Sequence, residues 1–219
     1  VQCENCHGAA GEHTRNPGDE SKRPTVNMSA TLCGGCHTDA HHPTFDEWQL
    51  SKHSQALAGL KTSAFAQDSC LECHSQDYRH AVEEQEDGEG DDVLPTLATA
   101  QLSIECATCH ASHGGVAQAK QLRLPIADLC GQCHTQEEAT IGDTPHHPQL
   151  EMATGTGAHE DGGAPLTVPF SPHATLFSTG GQACAQCHVV KHDVEEPDEG
   201  NPNVTGHTFN PFDDDITEH

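Results

Sequence analysis

The arrangement of apolar and polar residues along the chain predicts few long secondary-structure elements. The segment TFDEWQLSKHSQALAG at 44–59 lacks Pro and Gly before its last residue and carries Leu and Ala, which favours a helix ending at Gly59. Elsewhere frequent Pro and Gly predict short helices joined by long loops, with little β-structure. No apolar stretch approaches the roughly 20 residues that span a bilayer, so we expect no membrane span.

Composition changes this picture, because the chain is too polar to build an ordinary hydrophobic core. Hydrophobic residues make up 33% of the 219 residues, and 34 acidic residues against 9 basic ones leave a formal net charge of −25. A bare polypeptide of this composition is typical of disordered proteins. The acidic balance argues against nucleic acid and anionic membranes as partners, and it predicts a solvated loop for EEQEDGEGDD at 83–92.

A Cys-x-x-Cys-His pattern occurs six times and uses all twelve cysteines. The motif cysteines are Cys3 and Cys6, Cys33 and Cys36, Cys70 and Cys73, Cys106 and Cys109, Cys130 and Cys133, and Cys184 and Cys187. The histidines that follow them, in motifs 1 to 6, are His7, His37, His74, His110, His134 and His188. Among the uses of a Cys-x-x-Cys pair, only covalent haem attachment also requires this histidine. We therefore predict six covalently bound c-type haems, each with its motif histidine as the proximal iron ligand.

The spacing within the motif fits this chemistry. Residues i and i+3 lie on one face of a helical turn, so Cys3 and Cys6 can both reach the vinyl groups of one porphyrin. Three alternatives fit less well. The cysteine pairs do not form the sets that close a tetrahedral zinc site, an iron–sulfur run of three spaced cysteines is missing, and disulfides across two residues are strained.

Six haems in 219 residues leave about 36 residues for each. This ratio predicts a mostly irregular chain with short α-helices wrapped around a closely packed haem stack, which serves as the core. The polypeptide without haem should be largely coil, as small metal-dependent domains are when empty.

The two halves of the sequence align in three places, with their motifs in the same order. VQCENCHGAAGEH matches IECATCHASHGG, TLCGGCHTDAHHPTFDEW matches DLCGQCHT…PHHPQLEM, and SKHSQALAG…DSCLECH matches SPHATLFSTGGQACAQCH. We predict two three-haem modules, residues 1–92 and residues 93–219, the second with a ligand-bearing C-terminal tail. We expect one continuous haem stack rather than two independent domains.

Thirteen histidines outside the motifs are more than six irons need on their second faces. Repeat symmetry and the tail select seven distal candidates: His13, His42, His53, His113, His147, His173 and His207. The sequence does not choose between His41 and His42 or between His146 and His147, and ligation by His207 would release one of the first doublet. We expect solvent or propionate contacts for His80, His159, His192 and His219. Met28 and Met152 are the alternative axial ligands, outnumbered by spare histidines.

These residues resemble the multihaem cytochromes c of the group that includes the nitrifiers' tetrahaem cytochrome. The resemblance rests on C-x-x-C-H-G-x-x-G-x-H at 3–13, DEWQLSKHS before a motif, and C-x-x-C-H-x-x-H at 106–113. It implies that His13, His53 and His113 are distal ligands, often to a haem other than the nearest in sequence. The haem count and the tail also resemble the extracellular hexahaem cytochromes that polymerise into conductive filaments. That resemblance implies that His207 ligates a haem of the next subunit.

We expect an electron-transfer protein rather than an enzyme, with low-spin, bis-histidine irons. The expected location is extracellular or at the cell surface, with the periplasm as the alternative, and the expected partners are other redox proteins or copies of the chain itself in a filament. The alternatives are a soluble periplasmic shuttle and a reductase of nitrogen or sulfur compounds. Such a reductase needs one iron with an open position, and no Cys-x-x-Cys-Lys variant marks one.

The six attachment motifs make a direct prediction about mass. The intact, naturally produced protein should exceed its polypeptide mass by six haem groups after denaturation, since thioether bonds survive unfolding. Mass spectrometry of the denatured protein measures this increment. A polypeptide mass without added haem would contradict the assignment of all six motifs.

Overall fold

A computed structural model describes residues 2–24, 26–38, 42–88, 93–135, 147–156, 158–159, 165–166, 184–189 and 206–211. The α-helices in these ranges are α1 Cys3–His7, α2 Gly11–Arg15, α3 Ala30–Gly34, α4 Thr44–Leu50, α5 Ala56–Thr62, α6 Leu71–His74, α7 Gln76–Asp87, α8 Cys106–Cys109, α9 Ile126–Gly131, α10 Gln149–Thr154 and α11 Ala185–His188. Single 3-10 turns lie at Glu20–Lys22, Asp68–Cys70 and Ala119–Gln121. Strands β1 Ala158–His159 and β2 Pro165–Leu166 form one short antiparallel pair. The prediction of short helices, irregular segments and little β-structure is confirmed.

The single helix predicted over 44–59 is wrong, because the chain forms two helices there. The α4 helix ends at Leu50, and α5 starts at Ala56 and continues through Gly59 to Thr62. The Ser51 hydroxyl donates to the Trp48 carbonyl at 2.6 Å, and the Ser54 hydroxyl donates to the Gln49 carbonyl at 2.9 Å. Serine hydroxyls thus satisfy carbonyl groups that a continuing helix would use, which ends α4. His53 therefore lies in a turn between the two helices.

The acidic run at 83–92 is predicted as a loop, but residues 83–87 belong to α7. The Ser75 hydroxyl accepts from the Tyr78 N–H at the start of α7, and Gly88 ends it in the left-handed conformation with φ +74°. Between this start signal and this stop signal, Glu and Gln are good helix formers, so helix propensity outweighs charge repulsion. Residues 89–92 of the run lie outside the described residues.

The predicted duplication has a counterpart in the packing of the second motif of each half. In the first half Gly34 contacts the Phe45 ring so closely that a Cβ there would meet it at 2.6 Å. In the second half Gly131 meets Leu150 in the same way, at 3.0 Å. The Phe45 N–H donates to the His37 carbonyl and the Leu150 N–H to the His134 carbonyl, at 2.8 and 2.9 Å. In both halves, a helix that follows a proline packs against the glycine of the second motif. These helices are α4 after Pro43 and α10 after Pro148.

Little of the described polypeptide forms an apolar core of its own. Leu57 of α5, Leu71 of α6 and Ala100 form the one cluster of buried apolar residues found in these ranges, flanked by Leu60, Tyr78 and Leu97. Ala30 and Ile104 are also buried. The longest helix described, α7, has 12 residues, and none of the described helices is long and apolar enough to cross a membrane.

Hydrogen bonds cross the predicted boundary between residues 92 and 93. The Gln76 N–H donates to the Ser103 carbonyl at 2.9 Å, and the Trp48 indole donates to the Ile104 carbonyl at 2.9 Å. The buried Glu105 carboxylate, at the start of α8, accepts from the Ala30 N–H at 2.7 Å. The division into two modules stays a prediction, and these contacts support one cooperative unit.

Replacing Leu71 by Ala tests the small apolar core. Leu71 is 0% exposed, so we expect Leu71→Ala to lower the free energy of unfolding of the haem-loaded protein by about 2–5 kcal/mol. The matched control is Leu50→Ala, because Leu50 is 75% exposed and should change stability by less than about 0.5 kcal/mol. Denaturant unfolding followed by circular dichroism measures both. Equal effects of the two substitutions would contradict the proposed core.

Candidate functional site

One hydrogen-bond pattern recurs among the motifs. The N–H groups of His37, His110, His134 and His188 donate to the carbonyl of the first cysteine of their motif, at 2.9–3.0 Å. This bond closes a single helical turn, which places both cysteines of a motif on the same side. Each short motif thus carries two thiols and an imidazole from one turn of backbone.

Five motif histidines face a second histidine ring. The centroid distances are 5.8 Å for His7–His113, 6.1 Å for His37–His42, 6.0 Å for His53–His134, 6.0 Å for His74–His147 and 6.2 Å for His110–His207. A metal–imidazole bond is about 2.0–2.1 Å, so two such bonds in line, plus the nitrogen-to-centre distance of each ring, put the centroids about 6 Å apart. The observed spacings therefore fit one metal ion between each pair of rings.

Histidine pairing exchanges residues between the two predicted modules. His53 precedes motif 3 in sequence but faces His134 of motif 5, whereas His147 follows motif 5 but faces His74 of motif 3. The rings of His134 and His147 are 5.7 Å apart and nearly perpendicular, at 82°. Motifs 3 and 5 are therefore neighbours that complete each other's histidine pairs.

Cysteine side chains of different motifs also lie next to one another. Side-chain hydrogen bonds join Cys33 to Cys106 and Cys130 to Cys184, and they lower the pKa of the Cys33 and Cys184 thiols to about 7. A third pair, Cys73 with Cys133, lowers the pKa of Cys133 in the same way. Covalent attachment would convert these thiols to thioethers, which do not titrate. What these contacts show is which motifs are neighbours. Motif 2 lies next to motif 4, and motif 5 lies next to motifs 3 and 6.

Three of the paired histidines lie in surroundings that favour the neutral form. Burial, followed by the nearby His134, lowers the pKa of His53 to about 4. Burial, followed by His110 and His37, lowers the pKa of His207 to about 4. Burial also lowers the pKa of His134, although a hydrogen bond with Gln149 opposes the shift. Neutral imidazole is the form that binds metal, so these environments suit ligation.

Backbone carbonyls orient three of the motif histidines. His110 Nδ1 lies 2.8 Å from the Lys120 carbonyl oxygen, His74 Nδ1 lies 3.3 Å from that of Ala56, and His188 Nδ1 lies 3.3 Å from that of Phe209. A proton on Nδ1 that is donated to a carbonyl leaves Nε2 as the free lone pair. These contacts favour metal binding through Nε2.

The donor pattern fits a haem better than a bare ion. Within the described ranges no group of three or more Cys, His, Asp or Glu side chains is arranged to hold a metal ion by itself. Histidines come instead in opposed pairs, each beside a Cys-x-x-Cys turn. Such a pair would supply two imidazole nitrogens to the iron of a haem, and the cysteines of the neighbouring turn would hold the macrocycle.

The remaining histidine predictions have mixed outcomes. His13 faces no histidine ring in the described part of the chain, and its Nδ1 is buried without a hydrogen-bond partner there. His80 Nε2 contacts the Glu84 carboxylate at 3.3 Å. His41, His146, His173, His192, His219 and the His159 side chain lie outside the described residues. Among the methionines, Met28 Sδ accepts a hydrogen bond from Gln76 at 3.6 Å, and Met152 is 71% exposed.

Sequence reasoning missed several charged residues around the motifs. Arg79 Nη1 lies 3.8 Å from the Cys133 sulfur, and its Nη2 donates to Gln132 at 2.6 Å. Arg123 donates to Glu83 at 2.6 Å. The chain has only 9 Lys and Arg, so any of them could have a specific role. Nothing in the sequence indicated that Arg79 would contact motif 5. Glu105 and Glu47 were likewise hidden among 34 acidic residues.

Comparison with known proteins supports the same chemistry. The family model described as a doubled CXXCH motif matches residues 100–139. The chain is 25% identical over 208 residues to the multiheme cytochrome MtrA of Shewanella baltica, covering 86% of this chain and 56% of that protein. It is 24% identical over 221 residues to the polyheme cytochrome OmcB of Geobacter sulfurreducens, covering 88% of this chain and 28% of that protein. The chain thus spans about half the length of the first relative and less of the second.

Two solved structures share the fold. The outer cell wall cytochrome OcwA superposes with a TM-score of 0.73 at 24% identity, covering 96% of this chain and 50% of that protein. The undecaheme cytochrome from the S-layer of Carboxydothermus ferrireducens superposes with a TM-score of 0.71 at 28% identity, covering 95% of this chain and 32% of that protein.

Removing one ring of a facing pair tests the ligand assignment. In the haem-loaded protein, His53→Ala should convert one iron per chain from low-spin to high-spin, because the imidazole opposite His134 is lost. Electron paramagnetic resonance of the oxidised protein measures the change. His80→Ala is the matched control and should leave the spectrum unchanged, since His80 faces Glu84. A purely low-spin His53→Ala spectrum would contradict the assignment.

Proposed function

Because the chain is a multihaem c-type cytochrome, we propose that it is an electron conduit that carries electrons along six covalently attached haems with histidine on both faces. The single observation that carries this proposal is the spacing of five opposed imidazole pairs, at 5.8–6.2 Å between ring centroids. When bound, haem supplies a one-electron couple at its iron. The protein side chains determine whether that iron only transfers electrons or also binds a substrate.

We assign the distal ligands from the facing rings. His113 serves motif 1, His42 motif 2, His147 motif 3, His207 motif 4 and His53 motif 5. The two candidates left for motif 6 are His13 and His173. His13 is supported by the buried, unpartnered Nδ1 noted above, and His173 by its position before the motif in the repeat.

Histidine on both faces favours conduction over catalysis. A reductase must bind its substrate at an iron with an open position. The partly buried rings of His53 and His207 would close two of the proposed sites, and their surroundings keep these imidazoles neutral and able to bind. At these two sites the imidazoles would exclude substrates and water from the iron while leaving its redox chemistry intact.

The neighbouring attachment sites support one continuous path. Cysteine contacts join motifs 2 and 4, 3 and 5, and 5 and 6. His113, three residues after His110 of motif 4, faces His7 of motif 1. The Phe209 ring lies between His207, which faces motif 4, and His53, which faces motif 5, at 5.8 and 4.4 Å, and so connects these two motifs. Short separations matter because the rate of electron tunnelling falls steeply with distance.

We further propose that the chain works outside the cytoplasm, at the cell surface. The support is the outer-cell-wall and S-layer origin named for the two solved structures. Its partners would be other redox proteins. The His207 ring faces His110 of its own chain, which favours ligation within the chain over ligation of a neighbouring subunit. A filament built on His207 is therefore not part of this proposal.

Spectroscopy and electrochemistry of the haem-loaded protein test the proposed function together. The oxidised protein should show only low-spin iron in electron paramagnetic resonance. Adsorbed on an electrode, it should give a reversible, broad redox wave from several couples. Adding nitrite, hydroxylamine or sulfite should produce no catalytic current. A high-spin signal accompanied by a catalytic current would replace the conduit by an enzyme.

A further inference from the structure

The C-terminal segment 206–211 lies against the site although it is 18 residues beyond the last motif histidine, His188. Gly206 is buried, and its φ of +119° belongs to the region that favours glycine. His207 and Phe209 are partly buried. The segment therefore occupies a defined place within the fold.

One carboxylate oxygen holds the start of this segment. Glu47 Oε2 accepts the Gly206 N–H at 2.6 Å and the His207 N–H at 2.8 Å. Glu47 is itself half-buried, on α4. Because both bonds end at the same oxygen, the backbone on either side of the 206–207 peptide bond is fixed relative to α4.

The helix that carries Glu47 is anchored on both sides of it. The Phe45 N–H donates to the His37 carbonyl of motif 2 at 2.8 Å. The Trp48 indole donates to the Ile104 carbonyl, two residues before motif 4, at 2.9 Å. Glu47 therefore lies on a short helix that is fixed to motif 2 and to the segment before motif 4. Its hydrogen bonds to the tail fix the tail relative to both motifs.

The tail contacts three proposed haem sites. His207 faces His110 of motif 4 at 6.2 Å. The Phe209 ring packs edge-on against His53, the partner of His134 in motif 5, at 4.4 Å. The Phe209 carbonyl lies 3.3 Å from His188 Nδ1 of motif 6. Displacing this segment would disturb the ligand of motif 4 most directly, because only there does it contribute an imidazole.

We propose that Glu47 is a positioning residue that holds His207 over the motif 4 iron through its two backbone hydrogen bonds. This inference rests on the proposed function, in which His207 is the distal ligand of motif 4. Reach, rather than charge, is the property required of residue 47, since both bonds converge on one acceptor oxygen.

The internal duplication offers a comparison. In the aligned segments HHPTFDEW and HHPQLEMA, Glu47 corresponds to Met152. Met152 is 71% exposed on α10 and cannot offer a carboxylate to a tail. The carboxylate is thus peculiar to the copy of the helix that meets residues 206 and 207, so it is not required by the helix or by its docking onto the motif.

Three substitutions at position 47 separate reach from charge in the haem-loaded protein. Glu47→Gln keeps an acceptor oxygen at the same distance without the charge, so His207 should stay bound. Glu47→Asp keeps the charge but withdraws the oxygen by about 1.5 Å, one bond length, and Glu47→Ala removes it. Both should release His207 in a fraction of the molecules and produce up to one high-spin iron per chain. Met152→Ala is the matched control and should remain low-spin.

The readouts are the high-spin signal in electron paramagnetic resonance and the carbon monoxide bound per reduced chain. His207→Ala sets the full effect, one iron per chain, and the Glu47→Ala/His207→Ala double variant should not exceed it. A purely low-spin Glu47→Asp protein that binds no carbon monoxide would overturn the role of Glu47, as would high-spin iron beyond one per chain in the double variant. Should His207→Ala itself stay low-spin, the ligand assignment and this inference fail together.

The conservative variant also separates positioning from general stability. If Glu47 were only a structural residue, Glu47→Asp would lower the unfolding midpoint while every iron stayed low-spin, and this result would refute the inference. If Glu47→Gln released His207 as fully as Glu47→Ala, the charge would be the essential property, and the role assigned to reach would be wrong.

Discussion

The structure depends on imidazole rings opposed at about 6 Å, because most of these pairs join parts of the chain that are far apart in sequence. His7 meets His113 and His74 meets His147, and each of these contacts spans the predicted module boundary. A metal ion bound by both rings would tie the two segments together. The described apolar core is a cluster around Leu57, Leu71 and Ala100, too small to do this alone.

This constraint explains the secondary structure and the charge. Each motif needs one helical turn to bring two cysteines and a histidine together, so long helices bring no advantage. The polypeptide between motifs needs to place ligands rather than bury apolar surface, and it can remain acidic and loop-rich. The polar groups that are buried take part in joining segments, as Glu105 does between the N-terminus of α3 and the start of α8.

Local sequence signals were reliable for chemistry and less so for helix limits. The six motifs indicated the cofactor class, and the comparisons agree with it. The single helix over 44–59 was wrong because Ser51 and Ser54 hydroxyls compete for backbone carbonyls, a contest that helix propensity does not include. The acidic run was read as a loop because charge was weighed above Ser75 and Gly88, which begin and end α7.

By itself, the sequence predicted which residues attach haem and which histidine of each motif is a ligand, since a motif of five residues contains that chemistry within one turn. It also indicated the duplication, because the docking of α4 and α10 depends on neighbouring residues. Only the tertiary structure decided which histidines face each other, that His53 crosses to motif 5, and that Glu47 meets the tail. His53 and His134 lie 81 positions apart in the chain, and Glu47 and His207 lie 160 positions apart. No local rule relates residues whose encounter depends on the whole path of the backbone.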